Sequence, residues 1–234
     1  MKKIITALLL AGIVLSLASC GRNKNKDNNS STSSSSSQTT QSTTNSGNGG
    51  MTESMGAKSF LHSVYGDFLA KMVRVYDASS VDEVKGYFAG PETETVTEKD
   101  EETGEEFTYE APKNEPGAIS LDDGETLEIQ TLFPASSADK LKSAAVYFNL
   151  MNQNNGTFAA FELKNGADMQ ALADMMKHRI KDNHWICGFP ERYTIMRAGD
   201  VLVFAYGLDS AVKAWKSAVT DVYADAVVLY DESL

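Results

Sequence analysis

Residues 146–163 read VYFNLMNQNNGTFAAFEL, two apolar, aromatic-bearing runs separated by NQNNG. Valine, tyrosine and phenylalanine suit a pleated, half-buried surface, and the central Asn and Gly are the residues a reversing loop needs. The reading is a pair of antiparallel strands, 145–150 and 157–163. Regular periodicity continues downstream. Residues 168–183 set Met169, Leu172, Met175, Met176 and Ile180 at helical spacing behind a capping Asp168. A second hairpin spans 193–196 and 201–205 around Ala198, Gly199 and Asp200. A helix at 210–220 buries Ala211, Val212, Trp215 and Val219 on spacing, and AVVLY at 226–230 can add an edge strand. The order β-β-α-β-β-α predicts an α+β fold, an antiparallel sheet with helices packed on one face.

Upstream, residues 54–76 repeat apolar side chains at three and four, from Phe60 and Leu61 to Val73 and Tyr76, which predicts a long amphipathic helix. A short helix capped by Ser80, with Asp82 and Glu83 in its first turn, is expected to end near Gly90 and Pro91. Between 92 and 112 the chain alternates Thr, Val, Phe107 and Tyr109 with acids around Thr103-Gly104, the pattern of a hairpin with one thin apolar face. It reads either as a cation- or partner-binding tongue or as a solvated excursion, and it lacks the D-x-D-x-D-G order of a calcium loop. The segment 127–133 is ambiguous between a short helical and an extended connector, and Ser136 or Ser137 can cap the turn after it.

The chain begins with Lys2 and Lys3, an apolar run at 4–18 and then LASC, ending at Cys20. A basic start and an apolar core too short to span a bilayer mark a signal peptide. Leu17, Ala18, Ser19 and Cys20 match a bacterial lipobox, which resembles the signal of lipoproteins closely. That resemblance implies a diacylglycerol thioether on Cys20, cleavage after Ser19 and a mature chain held to a membrane by more than one acyl chain, since one alone binds only reversibly. From 20 to 52 the sequence is nearly all Ser, Thr, Asn, Gln and Gly. Such a composition cannot bury enough apolar surface to order itself, and as a coil it reaches about 30 Å. The expected organisation is leader 1–19, lipidated Cys20 with a tether to 52, and one domain over 53–234 carrying the acidic hairpin as an insertion.

The formal charge of −11 becomes −13 when Lys2 and Lys3 leave with the leader. An acidic body of this kind argues against nucleic acid and against anionic lipid as partners of its surface. With Cys20 acylated, Cys187 is left without a disulfide partner in the chain, and beside Trp185 and Ile186 it reads as a small buried apolar residue.

The block from 146 to 219 is similar to a family of bacterial lipoproteins classed as a domain of unknown function, common in anaerobic Gram-positive bacteria. Four stretches carry the likeness: VYFNLMNQNNGTFAAFEL, DMQALADMMKHRIKD, the loop GFPERY, and YTIMRAGDVLVFAYG. The resemblance implies a fold order and an envelope location and no activity. The apolar NHWICG segment and the acidic hairpin depart from it.

Chemistry is sparse. His62, His178 and His184 are the histidines, and the last two, six apart, fall about 240° around a continuing helix, so they do not converge on an ion. No phosphate-binding loop, dinucleotide fingerprint or nucleophile elbow is present. No catalytic residue, metal or cofactor is expected. The loop NHWICGFPERY places Trp185, Ile186 and Phe189 outside any periodic element. They either seal the sheet edge, the favoured reading, with Cys187 in the same buried cluster, or they form an exposed patch for a partner. The functional expectation is a membrane-anchored, extracytoplasmic binding module engaging an envelope protein or extracellular ligand. The alternatives are an envelope hydrolase using carboxylates and a structural spacer.

Overall fold

The computed structural model describes residues 56–234. The chain divides into two units, Met1–Gly49 and Gly50–Leu234, and the described residues lie in the second. The leader, Cys20 and the tether fall outside the described residues, as does the expected helix start at Ser54. The helices are α1 (Ala57–Val75), α2 (Val81–Lys85), α3 (Gly124–Thr131), α4 (Met169–Asp182) and α5 (Asp209–Val222). The strands are β1 (Phe88–Ala89), β2 (Thr93–Lys99), β3 (Glu106–Pro112), β4 (Gly117–Ile119), β5 (Leu141–Asn149), β6 (Gly156–Leu163), β7 (Arg192–Ala198), β8 (Val201–Gly207) and β9 (Val227–Ser233).

The protein is an α+β domain built on an antiparallel sheet. That sheet has seven strands in the order β1-β5-β6-β8-β7-β9, with β4 also pairing β5, and β2 and β3 form a separate two-stranded sheet. The sequence order β5-β6-α4-β7-β8-α5 is the expected one, and the tail pairs with β7 as the edge strand.

The layering differs from the expectation: helices cover both faces of the sheet. On one face Ala145, Tyr147, Phe158, Ala160, Val203 and Ala205 pack with α1 and α5. On the other, Val146, Ala159, Phe161, Leu202, Phe204 and Tyr206 pack with α4 and the region of α3. The reason lies in β6 and β8, buried along their whole length. Side chains alternate between faces along a strand, so the order Phe-Ala-Ala-Phe at 158–161 sends one ring and one small residue to each side. The first core is aromatic: Trp215 of α5 lies 5.3 Å from Phe68 of α1 and 5.0 Å from Phe158, ring centre to ring centre. Each such fully buried ring contributes about 1.5–3 kcal/mol.

Two local expectations are corrected. The short helix stops at Lys85 with Gly86 as its cap, because the next residues are drawn to the sheet edge: Phe88 and Ala89 register with Asn149 and Phe148, and Leu150 N donates to Tyr87 O at 2.9 Å. Met175 lies outside the buried stripe of α4, which consists of Leu172, Ala173, Met176 and Ile180. The ambiguous connector is helical, capped where Asp123 accepts from Thr126 N and closed by Leu132 in the left-handed region at φ 59°.

The edge strand β9 is tied down by charge on both faces. Asp231 meets Arg192 at 2.6 Å and also Lys216 of α5. Its neighbour Glu232 turns to α4, where it meets Lys177 at 2.6 Å and Lys181 at 2.5 Å. Those two ammonium groups, Lys177 first, hold the Glu232 carboxyl down from 4.5 to about 2. A carboxyl held below its unfolded value stabilises the fold above that value and loses the contribution as pH falls toward the folded one. The stability difference between wild type and Glu232→Gln is therefore expected to be full above pH about 5 and to vanish as pH approaches about 2, measured by urea unfolding across that range.

Candidate functional site

The domain has two poles, set by the length of α1. At its start Ala57 N donates to Ser143 Oγ (2.9 Å), and that hydroxyl donates to Glu162 (2.7 Å). At its end Asn149 Nδ2 donates to Tyr76 OH (3.2 Å). The 19 residues of α1, at 1.5 Å each, separate these ends by about 28 Å. The chain therefore enters the fold at one end of β5, and the loops 150–155 and 183–191 lie at the other.

At that far pole three asparagines organise the surface. Asn149 Oδ1 accepts from the amides of Met151 and Asn152, both at 3.0 Å, and Asn152 Oδ1 accepts from Asn154 N at 2.9 Å. The two outer side chains then hold the facing loop by its carbonyls. Asn152 Nδ2 donates to Cys187 O (2.7 Å), and Asn154 Nδ2 donates to Ile186 O (2.8 Å) and Gly188 O (3.0 Å). Gly207 permits the close approach behind them. Its φ is +149° and a Cβ there would lie 2.4 Å from Asn155 O.

With its carbonyls turned inward, the loop presents its side chains outward. Ile186 is 78 % exposed, Phe189 76 % and Met151, on the facing loop, 84 %. Cys187 is exposed as well, in the left-handed region at φ 65°. The expectation of a sealed, buried cluster is therefore corrected for Ile186, Cys187 and Phe189. Trp185 alone turns in, half-buried against the second core, its ring 5.3 Å from that of Tyr206.

Between this loop and α3 runs a groove of about 470 Å³, with Trp185 and Ile186 on one side, Ile129 and Leu132 on the other and Tyr206 among its lining. Its wall carries one charged pair. Arg179 meets Glu128 and donates through Nε to Leu132 O at 3.0 Å. Ala135 N donates to Glu128 at 3.0 Å, and with Arg179 it holds that carboxyl below its usual value. Burial pushes the Tyr206 phenol up. The groove thus offers apolar surface, amide groups and a neutralised ion pair, with Glu128 as the carboxylate among its lining residues.

The histidines do not meet: His62 Nε2 sits 3.1 Å from Pro116 O, while His178 and His184 are exposed. Among the described residues no group of three or more His, Cys, Asp or Glu side chains is placed to hold a metal ion. Among the same residues no helix is long and apolar enough to cross a membrane. Comparison with protein-family models, with curated proteins and with solved structures returns no match. Sequence reasoning singles out the loop and misses its partner. Met151 and the asparagines read along the chain only as a turn, although Asn at 149, 152 and 154 in one loop is the composition that binds backbone carbonyls and amides.

Exposure of Cys187 has a direct consequence. In the native protein it is expected to react with a thiol reagent within a small factor of the rate in urea, measured by absorbance. Asn154→Ala removes two hydrogen bonds and is expected to lower stability by about 1 kcal/mol while quickening amide exchange at 186–188.

Proposed function

We propose that this protein is a lipid-anchored, extracytoplasmic binding module, joined to a cell membrane through Cys20 and a polar tether, which engages an envelope protein or extracellular ligand through its far pole. One observation carries the reading: large apolar side chains at 151, 186 and 189 stand exposed on loops that hydrogen bonds hold in place, at the end of the domain opposite the point where the chain enters it. Exposed apolar groups on a preorganised frame bind with little ordering cost, which is what an interaction surface needs. The support for the location is the lipobox pattern Leu17-Ala18-Ser19-Cys20 behind a basic start and an apolar run. A carboxylate hydrolase has less support, since two catalytic carboxyls must face each other across a cleft and the groove lining offers Glu128, already tied to Arg179. A bare spacer would have no use for the apolar rim.

Two experiments test the two halves separately. Wild-type protein is expected in the detergent phase of a Triton X-114 partition and Cys20→Ala in the aqueous phase or as precursor; wild type found wholly in the aqueous phase contradicts the anchor. For the surface, a photocrosslinking residue at 186 is expected to give a discrete adduct on intact cells that one at 166, on another loop, does not. The adduct is expected to disappear in Met151→Ser/Phe189→Ser, a variant whose stability changes by less than about 1 kcal/mol because both side chains are exposed. Equal labelling from both positions contradicts the assignment.

A further inference from the structure

The hairpin β2–β3 belongs to neither core. It is a sheet of its own, and none of its residues is in the two buried clusters or packed on them. Its root is fastened: Glu92, just before β2, meets Lys58 of α1 at 2.5 Å and accepts from Ala118 N at 3.1 Å. Beyond the root both strands are exposed except for half-buried Val96 and Ala111. A two-stranded ribbon with nothing packed on it is marginal by itself.

Register sorts its side chains onto two unlike faces. The pairs Val96↔Tyr109 and Glu98↔Phe107 share one face, and Thr95↔Glu110, Thr97↔Thr108 and Lys99↔Glu106 the other. On the first face the rings of Phe107 and Tyr109 lie side by side, centres 6.0 Å apart and planes 21° apart. They remain 48 % and 41 % exposed. Tyr109 OH donates to Glu98 Oε1 at 2.7 Å, so a carboxylate stands at the edge of the ring pair. The surrounding strands and turn carry Glu94, Asp100, Glu101, Glu102 and Glu105, with Lys99 as the cation among them.

We propose that this face is a docking surface for a Lys/Arg-rich segment of a protein partner, independent of the far-pole surface. The chemistry selects the occupant by charge complementarity. A guanidinium or ammonium laid over an exposed aromatic ring is attracted to its π face and is neutralised by carboxylates at the ring's edge. Seven paired residues at about 3.3 Å each give a platform of about 23 Å, the length of an extended segment of about seven residues. A second copy of this chain brings the same carboxylates and is repelled, and so is an anionic bilayer. The surface also gives the hairpin the cover that its own domain withholds.

The test uses the mature chain and fluorescein-labelled octa-arginine, read by anisotropy at 50 and 300 mM salt. Wild type is expected to bind, more weakly at the higher salt. Phe107→Ser/Tyr109→Ser keeps every charge and is expected to bind about tenfold more weakly, the loss of two cation–ring contacts. Glu94→Gln/Glu98→Gln, which removes the carboxylates that register places on the ring face, keeps both rings and is expected to lose at least as much. If the Thr97–Thr108 cross-strand contact disappears from the NMR spectrum of the serine variant, Phe107→Leu/Tyr109→Leu replaces it with the same expectation. Equal binding by wild type and the ring variant overturns the proposal in favour of diffuse charge attraction. Self-association of wild type that the ring variant lacks overturns it in favour of a second copy. Tenfold tighter binding after Arg22→Gln/Lys24→Gln/Lys26→Gln overturns it in favour of the chain's own tether.

Discussion

The hydrogen-bonded ladder β5–β6–β8 is the constraint on which the rest of the domain depends. Glu162, Phe161 and Ala160 in β6 register with Ser143, Ala144 and Ala145 on one side and with Val201, Leu202 and Val203 on the other. Backbone groups at this depth are paired along the ladder, which is the condition for burying them. Once both faces are apolar, both need cover, and α1 with α5 and α3 with α4 supply it. The same ladder fixes the poles. Its β5–β6 reversal at 150–155 and the C-terminal end of β8 at Gly207 meet at one end, where Leu208 N donates to Asn155 O at 3.0 Å. The loop 183–191 is held over that junction by Glu191 N donating to Gly207 O at 2.8 Å. An exposed apolar surface there costs the core nothing, because the core ends beneath it.

Much of this is legible in the residues. Alternation and turn chemistry locate the strand pairs, helical spacing locates α1, α4 and α5, and the capping residues Ser80 and Asp168 do accept from backbone amides as caps should. The acidic hairpin turns where Thr103-Gly104 suggests. The layering is legible too, although the expectation of one covered face misses it. TFAAFEL and VLVFAYG are continuous apolar runs, and a strand that is apolar at consecutive positions is covered on both faces. The order of strands and helices along the chain says nothing of how many helical layers flank the sheet, and order alone places all the helices on one side.

The loop departs from expectation for a different reason. Trp185, Ile186, Cys187 and Phe189 are apolar, and apolarity by itself predicts burial. What decides their direction is the backbone, whose carbonyls at 186–188 are claimed by Asn152 and Asn154 from 32 to 35 residues away. No local pattern reports a contact of that range. Nor does composition show that Cys187 takes a left-handed conformation, which is uncommon for a residue with a Cβ. The hairpin is the converse case: its exposure follows from its composition, and the arrangement of its rings follows from register alone.

Together these features describe a body with a rigid, twice-covered centre and surfaces displayed at its margins, the far-pole rim and the acidic ribbon. That division rests on the two cores being coupled through one sheet, so that neither opens without the other. Native-state hydrogen exchange by mass spectrometry, resolved to β6, β8, α4 and α5, measures this directly. Coupling predicts that the buried amides of all four elements exchange with one free energy, equal to that of global unfolding, while the hairpin and residues 183–191 exchange far faster. Release of α4 in a separate opening of lower free energy, with α5 and the sheet still protected, would contradict it.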